Sequence, residues 1–61
     1  MKVSELKKII RRAGCKKVRE GANHEVWLNP NTGMTFTVPR HNSQELPTGT
    51  ANNILRSAGV R

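Results

Sequence analysis

Apolar residues recur along this chain at two spacings, and the switches between them divide it into five elements. From Ser4 onward Leu6, Ile9, Ile10 and Ala13 return every three or four residues, the period of one face of an α-helix. Ser4 is of a type that caps such a helix and Gly14 of a type that ends it. Lys7, Lys8, Arg11 and Arg12 fall off the apolar stripe and are expected to point into water, where the later ones also offset the helix dipole. Phosphate contact by this basic face is an equally open reading. Three short runs follow, Cys15 to Glu20, Asn23 to Asn29 and Met34 to Val38, which read as strands parted by turn residues. Gly21 marks the first turn. Asn29-Pro30-Asn31-Thr32-Gly33 is so dense in turn formers that the second and third strands should be an antiparallel hairpin. In the third strand Met34, Phe36 and Val38 alternate with Thr35 and Thr37, the pattern of a sheet with one face on a core and one in water, and Pro39 closes it. After a polar, irregular stretch from Arg40 to Pro47, a second helical stripe of Ala51, Ile54, Leu55 and Ala58 starts near Thr48 or Thr50 and ends at Gly59.

The two stripes echo one another, Leu6-x-x-Ile9-Ile10-Arg11-x-Ala13-Gly14 against Ala51-x-x-Ile54-Leu55-Arg56-x-Ala58-Gly59, as two helices with the same packing problem would. Each has one apolar stripe to bury. The expected fold is therefore α+β, in the order helix, strand, strand, strand, helix, with a three-stranded antiparallel sheet carrying both helices on one face. The opposite face and its rim are left for a ligand.

Size sharpens this picture. With 61 residues the chain should form one domain, residues 1–61, and a domain so small buries only about 60% of the surface its unfolded chain exposes. Disulfides, a metal or a partner usually compensate. The single Cys15 allows no internal disulfide and no Cys-rich zinc site, and His24 and His41 lie far apart in sequence, so no metal or cofactor is expected and a partner remains. Cys15 is expected in the core. Eleven Lys and Arg against four acidic residues give a formal charge of +7 and a pI near 11.0, which favours polyanions, nucleic acid first. An anionic membrane surface is the weaker candidate, because the first helix carries neither Trp nor Phe. No apolar run approaches the roughly 20 residues that span a bilayer, and the N-terminus has no signal-like apolar stretch, so a cytoplasmic location with no membrane partner is expected.

Candidate chemistry narrows by residue type. The acidic residues Glu5, Glu20, Glu25 and Glu45 are scattered and there is no Asp, which disfavours a carboxylate-bound two-metal nuclease and a paired-carboxylate hydrolase. Ser4, Ser43 and Ser57 lack a nucleophile elbow, and no glycine-rich phosphate loop appears. His24 and His41 are left. Imidazole can both take and give a proton near neutral pH, which suits metal-independent cleavage of RNA through its own 2′-hydroxyl. Alternation sets His24 on one strand face with Val26 and Leu28, where a hydrogen-bonded structural histidine is the competing reading. Lys16, Lys17, Arg19 and Arg40 lie near strand ends, within reach of an RNA backbone passing His24, although general solubility explains such charge too. His41, in a loop beside Arg40, suits RNA contact better than catalysis. Trp27 shares the other strand face with Asn23 and Glu25, where it could stack on a base, sit in the core or meet a partner; the partner interface is preferred.

Gly21-Ala22-Asn23-His24-Glu25-Val26-Trp27, then Thr37-Val38-Pro39-Arg40-His41, then Gly49-Thr50-Ala51-x-x-Ile54-Leu55-Arg56-x-Ala58-Gly59, together resemble the HicA family of toxin ribonucleases over nearly the whole chain. That family typically carries Gly-Ser-His on the second strand, Val-Pro-x-His after the third, and Gly-Thr-Leu opening a last helix that ends in Ala-Gly. Here the first motif is one residue longer, with Asn23 where Ser stands, and Gly49-Thr50-Ala51 replaces Gly-Thr-Leu. The resemblance implies a fold like the double-stranded-RNA-binding domain and endoribonuclease activity on mRNA. It also implies His24 as the catalytic residue, Asn23 beside it at the RNA, and neutralisation by a HicB-type antitoxin. The alternative is a small RNA-binding module without turnover, in which His24 is structural.

Overall fold

In a computed structural model describing residues 1–61, the chain runs α1 (Val3–Arg12), β1 (Lys16–Glu20), β2 (His24–Asn29), β3 (Met34–Pro39) and α2 (Thr48–Ser57). The strands form one antiparallel sheet in the order β1-β2-β3, as the turn signals require. Both helices lie on the face of β2 that carries Glu25, Trp27 and Asn29: α1 reaches it through Lys7 and α2 through the Ser57 carbonyl, which accepts from Asn29 Nδ2 at 3.1 Å. Between them sits a core of Val3, Leu6, Ile10, Cys15, Trp27, Val38, Leu46, Ile54 and Leu55 with Ala51 and Ala58. Neither helix is long and apolar enough to cross a membrane.

The echo between the helices extends to their C-termini. Gly14 and Gly59 take φ of +99° and +82°, a region open to glycine, and each lets the chain turn back onto its helix. Cys15 N–H donates to the Ile10 carbonyl and Val60 N–H to that of Leu55, while Gly14 and Gly59 donate to Arg11 and Arg56. Cys15 therefore belongs to the cap, and β1 begins one residue later than the pattern suggests.

The start of α1 differs from expectation. Ser4 lies inside the helix, Lys2 stands at the cap position, and no side chain caps it. Backbone carbonyls of the polar 42–46 segment do so instead: Gln44 accepts from Val3 N–H at 2.9 Å and Asn42 from Ser4 N–H at 3.1 Å. Lys2 pairs with Glu45 in an isolated antiparallel bridge, Leu46 N–H donates to the Met1 carbonyl at 2.8 Å, and the Leu46 side chain is buried. This clasp orders a stretch that reads in sequence as irregular loop. Two expectations for α1 also change in opposite senses: Lys7, expected in water, is buried, and Ala13, expected on the apolar stripe, is exposed at the end of α1.

Candidate active site

A hairpin turn presents the central histidine. The chain leaves β1 at Glu20 and enters β2 at His24, with Gly21 N–H donating to the His24 carbonyl at 2.7 Å. A Cβ on Gly21 would come within 3.3 Å of that carbonyl oxygen, so glycine permits the close approach. Arg40, just past β3, braces the turn. Its N–H donates to the Asn23 carbonyl at 3.1 Å, its Nη1 to the Ala22 carbonyl at 3.3 Å, and its Nη2 lies 3.7 Å from Glu20 Oε2. The Glu20 carboxylate takes a second cation, Lys17 Nζ, at 3.0 Å. The Lys17 hydrogen bond and charge, with that of Arg40, hold its carboxyl below the usual range.

Pairing assigns each cation to a face. Lys16 stands opposite Leu28 and Arg19 opposite Val26, so both share the outer face of the sheet with His24. Lys17 stands opposite Trp27 and Glu20 opposite Glu25, on the helix-covered face. Strict alternation would have kept Lys17 and Arg19 together; a bulge at Val18 separates them. The outer face carries no helix. His24 is exposed there beside half-buried Val26 and Leu28, with Thr35, Thr37 and Pro39 opposite on β3. The His24 imidazole hydrogen-bonds to no other protein group. Asn23 and Arg40 are thus gathered at the turn with His24, and Lys16 and Arg19 on its face. Lys17 looks the other way, and exposed His41 shares no hydrogen bond with His24.

Trp27 requires a correction. Its face is the core face, and the residue is 1% exposed, so its ring cannot serve as an interface for a partner or stack on a base. It lies beneath α1, with the Arg11 guanidinium 5.3 Å from the ring centroid and the indole N–H donating to Glu25 Oε1 at 3.0 Å. A strand face bearing Glu25 looks like a wet one in sequence. It is buried because Lys7 descends from α1 to within 3.1 Å of Glu25 Oε2, while also donating to Asn42 Oδ1 at 2.8 Å and the Arg40 carbonyl at 3.1 Å. Sequence reasoning missed this network; the only available signal was Lys7 lying one residue after Leu6, at the margin of the stripe.

Fold, charge and open face together define a small basic protein suited to meeting a polyanion. Residues 3–60 match the family described as HicA toxin of bacterial toxin-antitoxin systems, and the chain belongs to that family, as the motifs around His24, Pro39 and Gly49 lead one to expect. A similar protein is the probable mRNA interferase HicA 2 of Photorhabdus laumondii subsp. laumondii, 36% identical over an alignment that spans all of both chains. No solved structure matches the chain significantly.

Proposed function

We propose that this toxin is an endoribonuclease acting on mRNA, with His24 as its general acid or base and a HicB-type antitoxin as its neutralising partner. The observation that carries the reading is His24 itself, exposed on an uncovered sheet face that also bears Arg19 and, further along, Lys16, and free of protein hydrogen bonds. An imidazole so placed is available to the substrate. The RNA 2′-hydroxyl attacks the adjacent phosphorus and the P–O5′ bond breaks. His24 takes the proton from the nucleophile or gives one to the leaving oxygen, solvent water making the other transfer, and the products are a 2′,3′-cyclic phosphate and a 5′-hydroxyl. Lys16, Arg19, Asn23, Arg40 and His41 contact the RNA backbone along this face and its rim, with Lys17 at the β1 edge. One imidazole with supporting cations supplies about 10²–10⁴-fold acceleration, so the enzyme is slow. The antitoxin covers the same face, where Val26 and Leu28 give it an apolar footing beside His24.

The test is growth arrest and mRNA cleavage on induced expression of the wild type beside His24→Ala, with circular dichroism on both. The expected result is two folded proteins, of which only the wild type arrests growth and leaves 2′,3′-cyclic phosphate ends. Products bearing 5′-phosphates would sink the proposed chemistry. A folded wild type that binds RNA and leaves it intact would make the chain a binding module.

A further inference from the structure

We propose that a cavity of about 350 Å³ between α1 and β1, on the sheet face opposite His24, is a second phosphate-binding subsite for the RNA chain. This rests on the RNA-cutting reading above and assigns a further part of the substrate to a place that reading leaves unused.

The cavity offers an anion donors with few competing acceptors. Lys8 and Arg11 line it from α1 and Lys17, already paired with Glu20 at 3.0 Å and 3.9 Å from Glu25, lines it from β1; its one carboxylate, Glu25, has both oxygens occupied, Oε1 by the Trp27 indole and Oε2 by Lys7, so the free donors are Lys8 and Arg11. Neither Lys8 nor Arg11 has a carboxylate within 4 Å. Arg11 is also pre-positioned: its guanidinium rests over the ring of buried Trp27 and makes no hydrogen bond to the protein, which leaves its planar fork of donors for a ligand. Asn42, in the lining, has its Oδ1 committed to Lys7, so its amide N–H is what remains to offer.

Guanidinium and ammonium groups arranged this way match a phosphodiester, and the volume accommodates a nucleotide unit where a lone side-chain carboxylate would leave most of the space empty. The route is short. β1 is an edge strand with Lys16 and Arg19 on the His24 face and Lys17 on the cavity face, so cations continue around the edge from one site to the other. A single strand of RNA crossing that edge meets both.

The experiment is an NMR titration of the wild-type protein with a short 2′-O-methylated oligoribonucleotide, which lacks the free 2′-hydroxyl and is not cut. Trp27 is the only tryptophan, and its indole N–H, bonded to Glu25 in the cavity wall, is a unique reporter. Expected are saturable shifts of that indole and of the Lys8 and Arg11 amides. Lys8→Gln, at an exposed position, and Arg11→Gln should each weaken binding on the order of threefold to tenfold and lower the slope of log affinity against log salt by about 0.7. RNA that shifts only Lys16, Arg19 and His24 overturns the subsite and leaves the nuclease reading standing. RNA that shifts nothing overturns both. A poly-glutamate peptide that moves the indole where RNA does not reassigns the cavity to an acidic protein and overturns the proposal.

Discussion

Lys7 Nζ stands 3.1 Å from Glu25 Oε2 with both side chains no more than a tenth exposed, so charge fastens the middle of α1 to the central strand. A buried pair of this kind is weak evidence of net stabilisation, but removing Lys7 leaves buried Glu25 only the more distant, half-exposed Lys17 Nζ at 3.9 Å. Lys7→Met should cost about 3–5 kcal/mol. Against a total of roughly 5 kcal/mol for a small domain, little folded protein would remain. Adding Glu25→Gln removes the stranded charge and keeps an acceptor for the Trp27 indole, so the double variant should recover part of the loss in urea unfolding. Equal losses for single and double would show that the lost bonds to Asn42 and the Arg40 carbonyl, rather than the charge, are what matter.

Periodicity predicted the five elements, their order and the helix-covered sheet because each rests on local residue types: the Ile9-Ile10 and Ile54-Leu55 stripes, Gly14 and Gly59 as stops, and the Asn29–Gly33 turn. What it missed depends on partners distant in sequence. Lys7 reads as solvent-facing until Glu25 is seen opposite. Trp27 reads as a surface aromatic because its neighbour two residues back is charged. The capping of α1 comes from Asn42 and Gln44, whose carbonyls have no side-chain signature. The candidate site divides the same way. His24, Asn23 and Arg40 converge because the turn and the end of β3 adjoin in a β2–β3 pair, which the hairpin already implies, with His24 facing Pro39. The sorting of Lys16 and Arg19 from Lys17 depends on a bulge at Val18 that no residue type announces.

Gly14 and Gly59 allow a matched comparison. Both have positive φ, so Gly→Ala at either is strained and should cost about 1 kcal/mol. At Gly14 a new Cβ meets nothing within 4 Å; at Gly59 it lies 3.3 Å from Asn29 Nδ2, the amide that ties β2 to the Ser57 carbonyl. Gly59→Ala is therefore expected to be the more destabilising in chemical denaturation. Equal effects would mean that the Asn29 side chain shifts without losing its bond.

Acid should loosen the molecule in a defined window. Glu20 is held below the ordinary carboxyl range by the Lys17 hydrogen bond and by the charges of Lys17 and Arg40; Glu45 is held below it by a hydrogen bond from the N-terminal ammonium. Carboxyls whose folded values are depressed contribute stability that is complete above the unfolded value, about 4.3, and is lost as pH falls through the folded ones. Tm should be flat from neutrality to about pH 5 and decline below about 4.3. Glu20→Gln with Glu45→Gln should flatten that decline. Both groups are exposed, so the shift is expected to be modest, and an unchanged acid slope in the double variant would place the acid sensitivity elsewhere.

Arg40 separates two roles that a basic residue near His24 can play. As a phosphate contact alone, its removal would raise KM and spare kcat. Its bonds point to a brace: the side chain spans the Ala22 carbonyl and Glu20, and its backbone holds the Asn23 carbonyl, so the turn leading into His24 is tied to the end of β3 from two sides. If His24 moves the proton, loosening that turn misplaces the imidazole. Arg40→Ala is then expected to lower kcat about tenfold while altering stability little, since the side chain is exposed. Arg40→Lys, which keeps the charge but not the fork, should fail to restore it. Glu20→Gln, which weakens one anchor of the brace, should show a smaller fall in the same parameter. Single-turnover cleavage of a defined RNA distinguishes the cases, and a rise in KM with kcat intact would make the Arg40 side chain a substrate contact and leave the turn to be held by the backbone bonds Gly21–His24 and Arg40–Asn23.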